Sequence, residues 1–450
     1  MRKHAKCTVV IAGVLFFGGC GADAQEERAA SLKTTTNTEA DVHQSPAGDW
    51  RQFRGPNGMA GSQGSTESLA QVPAQWNQGN IRWQTPLPGA GASSPIIVRD
   101  RVYVTCYSGY GVPGAERGNL AQLKLMLVCV NRKSGDILWT KSVQPSLPEQ
   151  ETIRDEHGYS SSTPVADDKN VYVFFGKTGV FAFEQSGEQK WHSNVGSRLN
   201  GWGTAASPVI HEDLLIVNAS VESDSVVALN RKTGEEVWRT EGIREAWNTP
   251  LLVKNPMGKT ELIVPIFQKV LSLDPATGEQ NWTCDTDIQW YMVPSPVAHE
   301  GVVYCIGGRS GDSLAIRTGG SGDVTATHRL WKTNKGSNVS SPIFYDGHLY
   351  WVHDQRGIAY CANANTGAMV YEERLPRVGQ VYASPVLADG KIFFVARDGR
   401  VVVLAAEPEF TLLATNELEE RGRFDASPAA SGNQLFLRSN RFLYCIGADK

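Results

Sequence analysis

The chain of 450 residues is short of the features that usually announce a chemistry. Its 43 Lys and Arg against 47 Asp and Glu leave a net charge of −4, so it lacks the basic footprint that nucleic-acid binding requires, and no nucleic acid is expected. No interior apolar run approaches the roughly twenty residues that span a bilayer. Cysteines number eight, with no two adjacent and no Cys-x-x-Cys, which excludes a metal knuckle and a haem attachment site. There is no Walker A loop, nucleophile elbow or kinase catalytic loop, and the Gly-rich Gly319–Gly322 precedes no helix that could cradle phosphate. His348 and His353, five apart in a strand-like run, point to opposite faces and cannot share a metal from one strand.

The composition is otherwise that of a globular protein, 41% hydrophobic and 20% charged, long enough to bury a core. The first 24 residues differ. Arg2, Lys3 and Lys6 precede the apolar run Val9–Phe17 and small residues follow, the layout of a secretory signal peptide. Phe17-Gly18-Gly19-Cys20 reads as a lipobox that would lipidate Cys20, and Ala22-Asp23-Ala24 as an ordinary cleavage site. Both readings export the rest of the chain. Residues 25–48 lack periodicity and read as a flexible linker, and residues 49–450 as the folded domain, beginning at Asp49-Trp50-Arg51-Gln52-Phe53-Arg54, whose aromatics are expected to pin that segment to the body.

What is present is a repeat. Ser94-Pro95, Thr163-Pro164, Ser207-Pro208, Thr249-Pro250, Ser295-Pro296, Ser341-Pro342, Ser384-Pro385 and Ser427-Pro428 follow at intervals of 69, 44, 42, 46, 46, 43 and 43 residues. Periods of this length signal propeller blades. Each unit reads as strands of alternating pattern separated by turns, with Thr-Gly or Ser-Gly supplying positive φ at a hairpin. Trp139, Trp191, Trp238, Trp282 and Trp331 close successive units, with Tyr371 in the sixth, and their even placement predicts packing between blades. The first repeat carries about 25 extra residues, in Ser108–Lys124 and Gln144–Glu156.

The last unit, Ser427–Lys450, has only three strands, while Ile81–Leu87 is a strand without a blade. Lending it to the last unit predicts an all-β, eight-bladed propeller of four-stranded antiparallel blades, closed by an N-terminal strand. A cross-strand disulfide between Cys106 and Cys129 is weighed against two free thiols; Cys284, Cys305, Cys361 and Cys445 read as buried thiols.

Ser272-Leu273-Asp274-Pro275-Ala276-Thr277-Gly278-Glu279-Gln280-Asn281-Trp282 and Ala228–Trp238 resemble the repeat of the pyrroloquinoline-quinone (PQQ) propeller superfamily, over about Trp50 to Lys450. The resemblance is to a secreted, non-catalytic branch similar to the propeller lipoprotein of the outer-membrane β-barrel assembly machinery, in a planctomycete-type variant opening Trp50–Pro56. The quinoprotein dehydrogenases of the superfamily commonly cover the quinone with a vicinal Cys-Cys disulfide, stack Trp on it, and hold Ca²⁺ with Glu, Asn and Asp. This chain lacks the cysteine pair, so the resemblance implies the fold and no cofactor, with PQQ and Ca²⁺ as the alternative.

The loops before each Ser/Thr-Pro vary while the strands repeat, which makes them candidates for a site at one channel mouth. They carry His157, Tyr159, Trp202, Arg244, Glu245, Trp247, Asn248, Trp290, Tyr291, Tyr382, Arg423 and Asp425, a set suited to a planar ligand, a sugar or a peptide segment. Glu245, Asn248 and Asp425 are a weaker candidate for an oxygen-rich cation site, and His157 beside Asp155 and Glu156 for a general base. No catalytic or metal residue is assigned. The expected function is a cell-envelope binding or scaffolding propeller with a protein partner, anchored by lipid in the outer membrane. The alternatives are a PQQ-dependent oxidoreductase and a carbohydrate-binding propeller.

Overall fold

The computed structural model describes residues 48–61, 72–154, 157–309, 311–419 and 422–447. The signal-peptide, lipobox and linker readings, Cys20 included, fall almost wholly outside them. Eight antiparallel sheets follow one another along the chain. Blade 1 runs from an inner strand, Ile96–Val98, through Arg101–Ser108 and Lys124–Asn131 to an outer strand, Ile137–Val143. Blade 8 consists of Ala429–Ser431, Gln434–Arg438 and Phe442–Gly447 and takes Ile81–Pro86 as its outer strand, with Trp83 opposite Cys445. The orphan strand therefore closes the ring. Blade 4 gains a fifth strand, Gly322–Asp323, parallel to Gln280–Asp285 and donated by the Gly-rich tip of blade 5.

The period-two pattern holds only at the periphery. Outer strands such as Ile81–Pro86 and Gln280–Asp285 alternate in burial from their Trp onward, whereas Val226–Leu229 and Val171–Phe174 in the middle strands are buried throughout. Middle strands are covered on both faces by neighbouring blades, so nothing demands a polar face. In each outer strand a bulge precedes the position that is aromatic in every blade but the seventh, where Ala414 stands: in blade 3 Ala228 pairs with Trp238 but Leu229 with Glu236, which turns Val237 outward at 52% exposure. Bulges of this kind twist an edge away from further pairing.

Two belts tie the blades together. Around the channel, the Ser94 N–H donates to Thr163 Oγ1 at 2.9 Å, Thr163 N–H to Ser207 Oγ at 3.0 Å, and Ser207 N–H to Thr249 Oγ1 at 3.0 Å. The chain of bonds continues through Ser295, Ser341 and Ser384 to Ser427. The repeated hydroxyl before proline is thus the acceptor for the preceding blade. Around the outside, Trp Nε1 donates to a backbone carbonyl of the next blade: Trp83 to Arg132, Trp191 to Arg231, Trp238 to Pro275 and Trp331 to Ala364. The turn Gly of that next blade seats the ring. Gly234 has φ +79°, and a Cβ there would stand 2.7 Å from Trp191. Asn230 Oδ1 holds the same turn by accepting the Lys232 and Thr233 N–H groups. Two Trp residues depart from the pattern: Trp139 Nε1 is buried without a partner, and Trp282 donates to the buried Glu261, at 2.8 Å.

The segment 49–61 lies across the channel against the inner strands, with Phe53 reaching the level of the Ser/Thr-Pro dipeptides. Trp50 exchanges backbone hydrogen bonds with Ile97, Ala166 N–H donates to Arg51 O, and Leu387 N–H to Ala60 O. Inner-strand groups that would otherwise face an open bore are satisfied in this way. Arg54 is fully buried, donates to the Ser295 and Pro342 carbonyls, and has its pKa pulled down to about 9 by burial.

The Cys106–Cys129 disulfide does not form. Register sets Cys106 opposite Met126 and Cys129 opposite Tyr103, and the two thiols belong to cores on opposite sides of blade 1. Both are free and buried, as are Cys284, Cys305, Cys361 and Cys445.

Candidate channel-mouth site

A four-stranded antiparallel blade sends two connections to the mouth: the loop into the next inner strand and the turn between its second and third strands. Together they enclose a cleft of about 490 Å³ over the end of the channel. Five of the sequence candidates line it: His157, Trp202, Trp247, Tyr291 and Tyr382. Trp202 packs on Tyr291 at 6.0 Å, Trp247 on Tyr291 at 5.7 Å, and His157 edge-on to Trp202 at 6.2 Å. Trp247 is fixed from behind by its Nε1, which donates to Gly203 O at 2.9 Å. Trp290 lies on the rim, 43% exposed, with Arg309 over its ring at 5.1 Å.

The facing wall is polar. Arg309, His353, Asp354 and Gln355 come from turns between second and third strands, and Asn338 and Gln380 from the other loops. Asp354 is fully buried and accepts from Asn338 N–H at 3.0 Å and Gln355 Nε2 at 2.7 Å. Burial lowers the His353 pKa against the opposing pull of Asp354. Arg397 lies over Tyr382 at 4.2 Å and binds Asp425 at 2.7 Å and Gln380 at 2.8 Å.

The remaining candidates lie elsewhere. Tyr159 packs with Tyr107 and Tyr110 in the core of blade 1, with its pKa raised by burial. Arg244 extends into solvent beside Asp224. Glu245 is exposed at φ +53° and its backbone carbonyl accepts Met292 N–H. Asn248 is fully buried, its amide donating to the Pro265 and Met292 carbonyls. Arg423 and Asp425 pair at 2.9 Å, and Asp425 borders the narrow bore, where Phe53 of the crossing segment also lies. Glu245, Asn248 and Asp425 are thus each committed to separate surroundings and form no cation site. Asp155 and Glu156, invoked beside His157, lie outside the described residues.

Off the axis, a cavity of about 30 Å³, room for one water, lies between blades 2 and 3 under the loop 144–154. Glu222 is fully buried there. Its Oε1 accepts from Thr204 Oγ1 and its Oε2 has no partner. Burial first, and Glu149 in part, raise its pKa to about 7.

A quinone held with Ca²⁺ does not fit the mouth. The one carboxylate among the cleft residues is Asp354, whose oxygens already accept hydrogen bonds. The cysteines sit in the blade cores, and no three His, Cys, Asp or Glu among the described residues group for a metal.

The fold and repeat define a PQQ-like eight-bladed propeller. A family model described as outer membrane protein assembly factor BamB matches residues 124–373, more than half of the chain, and the chain belongs to that family. Tetrathionate hydrolase of Acidithiobacillus ferrooxidans is 22% identical over 273 residues, covering 52% of this chain and 52% of the hydrolase. Polyvinylalcohol dehydrogenase of a Pseudomonas species is 24% identical over 214 residues, covering 41% of this chain and 32% of the dehydrogenase. The chain therefore matches about half or less of the length of these curated relatives. Among solved structures, BamB from Moraxella catarrhalis superposes with a TM-score of 0.56 at 14% identity, over 81% of this chain and 99% of that one. Quinohemoprotein alcohol dehydrogenase from Comamonas testosteroni gives 0.63 at 11%, over 89% and 80%. These likenesses establish the fold alone.

Proposed function

We propose that the protein is a cell-envelope binding and scaffolding propeller that holds a protein partner at the channel mouth. One observation carries this reading. The carboxylates at the mouth, Asp354 and Asp425, are engaged by donors, while Trp290 and the Arg-capped aromatic wall remain open to a ligand. That arrangement suits recognition of a protein surface. Membership of the BamB family supports a partner in outer-membrane protein assembly. Export through residues 1–24, with lipid on Cys20, would place the propeller in the periplasm on the outer membrane.

The test is a titration of the purified protein with PQQ and Ca²⁺ beside recovery of envelope proteins on wild type and Trp290→Ser. Retention of a protein partner by wild type, lost in Trp290→Ser, supports the proposal. Stoichiometric quinone binding with dye-coupled alcohol oxidation would replace it with the dehydrogenase reading, and retention on polysaccharide columns with the carbohydrate reading. Palmitate labelling with and without Cys20→Ser checks the anchor.

A further inference from the structure

Three guanidinium groups at the mouth lie over aromatic rings: Arg154 on Trp202 at 4.2 Å, Arg309 on Trp290 at 5.1 Å and Arg397 on Tyr382 at 4.2 Å. They differ in charge balance. Arg397 is neutralised by Asp425 at 2.7 Å. Arg154 and Arg309 both line the cleft, and neither side chain has a carboxylate or hydrogen-bond partner among the described residues. A guanidinium held by its face keeps its N–H donors, which lie around its edge, for another acceptor. Stacking also fixes each head, so less freedom is lost when a carboxylate arrives.

A second unmet need lies on the polar wall. Asn338 Oδ1 is buried and accepts no hydrogen bond, an acceptor waiting for a donor. A ligand that satisfies the cleft must offer carboxylates, an N–H and an apolar body at once.

We infer that the cleft captures an extended acidic segment of a partner protein. Its Asp or Glu carboxylates meet Arg154 and Arg309, a main-chain N–H reaches Asn338 Oδ1, and an apolar or aromatic side chain lies against Trp247 and Tyr291. This rests on the proposed function, which holds that a protein binds the mouth, and adds the chemistry that selects it.

Fluorescence anisotropy on the full chain tests the inference, using labelled decapeptides in which a central Phe is flanked by Glu, Gln or Lys. The Glu peptide should bind about tenfold or more tighter than the Gln and Lys peptides, as a charge-assisted contact requires, and should weaken as salt rises. Arg154→Gln and Arg309→Gln should each cost about tenfold, with part of the binding retained in the Lys variants. Arg309→Glu should shift preference toward the Lys peptide, a gain that misfolding cannot produce. Equal binding of Glu and Gln peptides, no binding of the Glu peptide by wild type, or Arg variants that bind as wild type would overturn the inference. If a protein partner still depends on the mouth in those cases, the proposed function stands and only the acidic selectivity fails.

Discussion

The backbone N–H of Ser295 donates to the hydroxyl of Ser341 in the next blade, 2.9 Å away. Both residues precede proline and both are buried. Proline restricts the residue before it to an extended conformation, which aims that N–H sideways at the neighbouring blade. Ser341→Ala would leave the N–H buried without an acceptor, at a cost of about 1–3 kcal/mol. Ser341→Thr should cost much less, since Thr163 and Thr249 serve the same role. Urea unfolding of the two variants checks the difference.

Gly234 tests the outer belt. Alanine there meets both the positive φ and the Trp191 ring 2.7 Å away, so Gly234→Ala should destabilise by about 2 kcal/mol or more. In a Trp191→Leu background the steric part should shrink while the φ penalty remains. A double-mutant cycle by chemical denaturation separates the two.

The Ser/Thr-Pro spacing and the Thr-Gly-to-Trp motif made the blade number, the closing strand and the packing of the Trp residues between blades legible, because the copies repeat one strand-turn-strand pattern. The acceptor role of the hydroxyls was not legible, since it links residues about 43 apart through a side chain the pattern shows only as small and polar. The mouth was half legible. Attention to the loops before Ser/Thr-Pro found Trp202, Trp247 and Tyr291 and missed Arg309, His353 and Asp354. Those end second strands, and antiparallel order alone sends them to the same face. Asn248 misled because a polar loop residue looks the same whether its amide meets a ligand or buried carbonyls. The Cys106–Cys129 pairing failed on register, which a three-residue offset in one hairpin decides.

Glu222 makes stability depend on pH. Its native pKa, raised to about 7 by burial, means the folded protein keeps a proton that the unfolded chain releases near pH 4.5. Stability from this group is fully present below about pH 4.5. It falls as pH rises toward 7 and is flat above, by about 3 kcal/mol in total. Glu222→Gln should remove that slope. Denaturation midpoints of both proteins from pH 5 to 8 check it.

The thiols should be inert in the native state. Burial raises Cys129, Cys361 and Cys445 to about 12 and Cys284 to about 11, leaving almost no thiolate at pH 8. An aromatic disulfide reagent should label none of the six propeller cysteines in the folded protein, and all six in guanidinium chloride.

The central claim is that a protein partner docks at the mouth, and the direct measurement is site-specific photo-crosslinking in cells expressing the full chain. One photoreactive residue replaces Trp290 on the rim, and another replaces Leu413 on the outer strand of blade 7, exposed to a similar degree. A discrete protein adduct at position 290, absent at position 413, is the predicted result. An adduct at position 413 with none at 290 would move the docking surface to the blade edge and contradict the claim.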